Sequence, residues 1–129
     1  MKKSAQSLGH ATRGLLHALK HERNLRMFVL GHTLLLLLGT VLRVDLISLL
    51  VATLVAGIFV SIELLNTAIE RLADTVDDCE KTRLGGHFHV GIKQAKDVAS
   101  AAALIMLIVY GACIALIALP YILYLFLRP

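Results

Sequence analysis

The sequence predicts an all-α integral membrane protein, with three transmembrane helices behind an amphipathic helix that lies on the membrane surface. Three observations carry this. The 129 residues are 57% hydrophobic and 17% charged, with mean hydropathy +0.77, too apolar for a soluble domain of this length. The apolar residues gather into three runs that come close to or exceed the ~20 residues a membrane span needs. Eleven of the thirteen Lys and Arg lie in two segments, one before the first run and one between the second and third.

Residues 5–21 read as the surface helix. Leu8, Leu15, Leu16 and Leu19 recur near one face, while Arg13, His17, Lys20 and His21 mostly turn away from it. A basic face of this kind suits anionic lipid heads. The first span, 25–43, is built on "MFVLGHTLLLLLGTVL", with Asn24 and Arg43 as snorkelling flanks. Only "RVD" separates it from the second span, 46–62, so the connection is a tight hairpin. The second helix extends past the membrane to about 78, a loop occupies 79–91, and the third helix takes 92–127, with Pro120 free to kink or end it. Residues 1–129 form a single membrane domain.

Lys and Arg accumulate on cytoplasmic flanks, so the charge distribution puts the N-terminus inside and the C-terminus outside a multi-pass membrane protein. The first apolar run starts behind a long basic segment and no small-residue cleavage site follows it, so no cleaved export signal is expected. Cys79 and Cys113 fall in a charged segment and an apolar helix, which predicts two unrelated free thiols. Tyr110, Tyr121 and Tyr124 lie along the last apolar stretch as candidate interfacial anchors. Three spans leave wide faces uncovered, and the small residues Ala52, Ala56, Gly57 and 99–103 allow close helix approach, so a homo-oligomer is expected. No nucleic-acid partner is expected.

The chemistry concentrates in "SIELLNTAIERLAD". Glu63, Asn66, Glu70, Asp74 and Asp77 share one helical face that starts at the membrane's inner edge. An acid at that depth is a functional candidate by default. Glu63, Asn66 and Glu70 make a hard-oxygen set suited to Mg²⁺, whose remaining positions go to water and phosphate. Asp74, Asp77 and Asp78 read instead as a solvated helix end that balances Arg71. In "IKQAKDVAS" the residues Lys93, Lys96, Asp97 and Ser100 share a face where the third helix enters the membrane. Lys96 can serve as a point charge on phosphate or snorkel at the span's end. Glu22, in "HERNLR", either approaches Glu70 or pairs with Arg26 one turn on. His87 and His89 lack further ligands and read as exposed loop residues.

The blocks "RGLLHALKHERNLR" at 13–26, "ELLNTAIERLAD" at 63–74 and "AKDVASAAALI" at 95–105 resemble the prokaryotic diacylglycerol kinase family, which includes the undecaprenol kinases. The resemblance implies a homotrimer with active sites shared between subunits. It also implies transfer of the ATP γ-phosphate to a membrane-lipid hydroxyl, with Mg²⁺ as cofactor. Glu63 then matches the catalytic base, Glu22 and Glu70 the metal ligands, and Asn66 a supporting group. Lys96 and Asp97 match nucleotide-contacting positions, as do His10 beside the adenine and His89 in the loop, and Glu22 and Glu70 reach the nucleotide through the metal. Lys3, Arg13 and Glu63 are the expected contacts to the lipid substrate. The segment "ERNLRMF" is more similar to the undecaprenol branch, whereas the loop at 79–91 is longer than the family's usual one. The competing reading is a non-catalytic membrane protein, an ion carrier or scaffold. Its acids should be spread through the bilayer depth, and here they cluster at one edge.

Overall fold

A computed structural model describes residues 2–84 and 90–127, with side chains for 5–79, 90–124 and 126–127. Among the described residues four helices follow one another: α1 (Lys2–His21), α2 (Arg23–Val41), α3 (Leu46–Leu84) and α4 (Val90–Phe126). The all-α prediction with three spans agrees with what is seen, because α2, α3 and α4 are each long and apolar enough to cross a membrane. The chain divides into two compact units, one ending at Arg43 and holding α1 and α2, the other starting at Val44 and holding α3 and α4.

In the first unit one residue separates the helices. The Glu22 N–H donates to the Ala18 carbonyl at 2.7 Å and closes α1; its own carbonyl accepts from the Arg26 N–H at 3.3 Å and opens α2. Glu22 itself is extended, at φ −93° and ψ 107°. The carbonyls left over at the end of α1 find a donor in the next helix, since the Arg26 guanidinium bonds the Leu19 and Lys20 oxygens. Lys20 and His21 put positive charge in that same last turn, where the helix dipole favours it. Ala18 and Leu25 are buried on either side of the break. Within α2, Thr33 and Thr40 return their hydroxyl protons to carbonyls of the preceding turn, so an apolar span carries them without an unsatisfied donor. The helix ends at Leu42, and Arg43 adopts the left-handed conformation at φ 58°.

The second unit is an antiparallel helix hairpin pinned at both ends. At one end the Asp45 N–H donates to the Tyr121 hydroxyl at 3.4 Å. At the other, Lys96 Nζ meets Asp74 Oδ1 at 2.6 Å. Asp45 also starts α3: its carboxylate accepts from the Ser48 N–H at 2.9 Å and from the Ser48 hydroxyl at 2.7 Å, a side-chain cap on an orphan donor of the first turn. Those two bonds, the hydroxyl's first, hold the Asp45 carboxyl below its ordinary pKa.

Between the pins the helices meet through small residues. Ala52, Ala56, Phe59, Asn66, Thr67 and Ala73 are buried on α3, and Ala99 and Ala103 on α4. Alanine lets two backbones approach closely, which gains dispersion contacts where lipid supplies no hydrophobic drive. Of the small residues singled out above, Gly57, Ala101 and Ala102 stay exposed. Large apolar side chains such as Leu34, Leu54 and Ile108 are exposed too, as a lipid environment permits. The α3 helix runs on to Leu84, into the stretch expected as loop, and α4 continues through Pro120, which therefore does not end it. Cys79 and Cys113 are free thiols, as expected.

Candidate active site

Apart from Thr67, the buried residues of α3 follow alternating steps of four and three: Ala52, Ala56, Phe59, then Asn66 and Ala73. Glu63 and Glu70 occupy the intervening steps and are half-buried. The carboxylates therefore sit on the packing face of the helix, and each acid replaces an apolar knob of the seam. That is why they appear in sequence as a charge stripe on an oily helix.

Glu70 is held from two directions. Asn66 Nδ2, one turn earlier, donates to Glu70 Oε1 at 3.3 Å. Ser100 Oγ, on the facing helix, lies 3.2 Å from the same oxygen and 3.4 Å from Asn66 Oδ1. A hydroxyl has one proton to donate, so Ser100 serves Glu70 or Asn66 in turn and ties α4 to both. Asn66 is only 9% exposed, and such a buried amide is kept by its hydrogen bonds. Four residues beyond Glu70 the Asp74–Lys96 pair crosses the hairpin. Next to it lies a pocket of about 190 Å³ lined by Asp74, Asp77, Ile92, Lys93, Lys96 and Asp97.

The hairpin thus brings Asn66, Glu70, Lys96 and Asp97 to one end of the α3–α4 pair, with Glu63 two turns of α3 before Glu70. Glu22, His10 and Arg13 belong to the first unit. There Glu22 is half-buried at the helix break, and Arg13 Nη2 donates to His10 Nδ1 at 2.9 Å, both side chains exposed. His89, with His87, lies outside the described residues, and so does the side chain of Lys3. Two residues gain parts that the pattern reading withheld. Asp74 bonds Lys96 rather than merely balancing Arg71, and Ser100 is a cross-helix donor. The signal for Asp74 was its place one turn beyond Glu70 on the same stripe.

The family model described as prokaryotic diacylglycerol kinase matches residues 9–118, a span that holds every part of this end of the hairpin. The chain belongs to the prokaryotic diacylglycerol kinase family. It is a lipid kinase, and with three apolar helices in a membrane-bound family it is a multi-pass membrane protein. The kinase is also 30% identical to the undecaprenol kinase of Bacillus subtilis (strain 168) over 104 residues, 81% of this chain and 78% of the relative.

A kinase of this kind implies a divalent cation, and the donor set can be tested against one. Among the described residues no three His, Cys, Asp or Glu side chains gather as a metal group. Mg²⁺ does not ask for such a cage, since it keeps several waters and takes one or two carboxylates plus substrate phosphate. Glu70, with the Ser100 oxygen beside it, offers hard oxygens of that sort. The residues fit the ion.

Proposed function

We propose that this kinase transfers the γ-phosphate of ATP, with Mg²⁺, to the hydroxyl of a membrane lipid, and that the lipid is undecaprenol, giving undecaprenyl phosphate. The observation that carries the reading is the polar end of the hairpin: Glu70 fixed by Asn66 and Ser100, with Glu63 on the same face and Lys96 opposite. The undecaprenol kinase relative and the "ERNLRMF" segment favour the polyprenol. Diacylglycerol, with phosphatidic acid as product, is the second reading, favoured by the description of the family model.

Phosphoryl transfer needs little covalent help from the protein and much positioning. Glu63 accepts the hydroxyl proton as the lipid oxygen bonds the γ-phosphorus; the bond from that phosphorus to the bridging oxygen breaks, and ADP leaves with the electron pair. A base at the membrane edge meets this hydroxyl without drawing the tail out of the bilayer. Glu70 would hold Mg²⁺, as would Glu22 by the family resemblance, and a bound ion would supply charge neutralisation at the phosphate oxygens. Asn66 and Ser100 keep Glu70 from turning away. Lys96 approaches the phosphates as a compact cation, with Asp97, His10 and His89 contacting the rest of the nucleotide and Lys3 and Arg13 flanking the lipid head. The amphipathic α1 lies on the cytoplasmic surface of the inner membrane, with the N-terminus inside and the C-terminus outside, and three subunits assemble as a homotrimer.

The test is phosphate transfer from labelled ATP by the purified protein in mixed micelles, with undecaprenol and diacylglycerol offered in parallel, with and without Mg²⁺. The reading expects label on undecaprenol in preference to diacylglycerol, and only with the metal. Preference for diacylglycerol would overturn the choice of lipid; transfer that persists in EDTA would overturn the metal.

A further inference from the structure

A lysine on a four-carbon stem is a poor catalytic group unless something orders it, because holding one such side chain costs about 0.5–1.5 kcal/mol of conformational freedom. Lys96 is held here by a side chain of the same hairpin. Its ammonium sits 2.6 Å from Asp74 Oδ1, across the hairpin. The lysine is 35% exposed and the aspartate 64%, so the pair stands at the water-facing rim of the pocket. An exposed pair is worth little as a staple between helices. It suffices to choose a rotamer.

We infer that Asp74 is a positioning residue of the kinase, one that presents the Lys96 ammonium to the nucleotide phosphates. The inference rests on the reading above in which Lys96 meets phosphate. An ammonium has three donors, and Asp74 Oδ1 takes one, so the carboxylate can orient the cation without competing for the directions a phosphate uses. Asp74 stands one turn beyond Glu70 on the same face of α3. A single helix therefore sets both the fixed carboxylate and the partner that aims the lysine. The structural alternative, a bond that only holds α3 to α4, has other support already: the buried alanine seam and the Ser100 bonds join the same helices.

The experiment measures binding of a non-hydrolysable ATP analogue with Mg²⁺ to the full chain in micelles, alongside KM for ATP, KM for lipid, kcat and melting temperature. Asp74→Asn should weaken analogue binding and raise KM for ATP about 2- to 10-fold, the loss expected when one side chain must be ordered on binding. KM for lipid and melting should hold, and Asp74→Glu should recover part of the loss. In a Lys96→Met background Asp74→Asn should add nothing. The exchanged pair Asp74→Lys with Lys96→Asp should melt like the parent and still bind the analogue as weakly as Lys96→Met.

Unchanged binding in Asp74→Asn, a further loss in the Lys96→Met background, or recovery of binding by the exchanged pair would each overturn the inference. Lys96→Met sorts the two levels. If it binds the analogue normally, the assignment of Lys96 to phosphate falls and the inference falls with it. If it binds weakly while Asp74→Asn binds normally, only the inference falls.

Discussion

Glu63 and Glu70 lie on one face of α3, two turns apart. Glu70 is held by an amide and a hydroxyl, a setting for a group that must stay still. As the proposed base, Glu63 has in glutamine a replacement of the same size that cannot take up the proton. We expect Glu63→Gln to lower phosphate transfer by ~10²-fold or more while melting and assembly stay normal; near-normal turnover in the labelled-ATP assay would remove it from the chemistry. Glu70→Ala should act differently, raising the Mg²⁺ concentration needed for half-maximal activity, and a metal titration that superimposes on the parent's would refute the ligand role. The spacing of Glu63, Asn66 and Glu70 was legible in the sequence because helical periodicity alone puts them on one face. The partner of Asp74 was not, since it lies 22 residues away and depends on how two helices register.

The ends of the helices show what local patterns convey. Asp45 followed by Ser48 is a helix-start signal, and it forms the α3 cap. The cap depends on the charged carboxylate, whose folded pKa lies below its ordinary value of 3.8. Its contribution is therefore complete above that ordinary value and disappears as pH falls through the lowered one. Melting curves between about pH 6 and pH 3 should show Asp45→Asn less stable than the parent at the upper end, with the gap closing towards the lower. Equal curves throughout would mean that the carboxylate's charge adds nothing to the cap. Arg43 is the opposite case, a side chain in a backbone region that suits glycine. Arg43→Gly relieves a left-handed strain of about 1–2 kcal/mol and adds back part of it as unfolded-state entropy, so a gain of up to ~1 kcal/mol is expected in chemical denaturation. Nothing in the composition of "RVD" announced that conformation; it follows from how α2 ends. In the middle of the hairpin, Ala103→Leu should cost ~1–3 kcal/mol, because a buried seam of alanines has no room for a larger side chain.

Over the whole molecule, composition was enough to foresee three apolar helices, since a span must be long and oily whatever it packs against. Composition could not say which small residues would be buried, and Ala52 and Ala56 are while their neighbour Gly57 is exposed. The proposed orientation has a simple check in the two free thiols. A membrane-impermeant maleimide should label exposed Cys79 in inside-out vesicles and spare it in right-side-out ones; the reverse pattern would invert the topology. The hairpin also has a mechanical consequence. At 1.5 Å per residue α3 is about 58 Å long, nearly twice a hydrocarbon core of ~30 Å. Because the buried alanine seam and the Ser100 bonds hold its two helices in register, the pair meets a thicker or thinner bilayer as one stiff rod, leaning rather than telescoping. Leaning lowers the charged end towards the headgroups. Bilayer thickness thereby becomes a variable that would set how far the proposed base, Glu63, stands from a lipid hydroxyl.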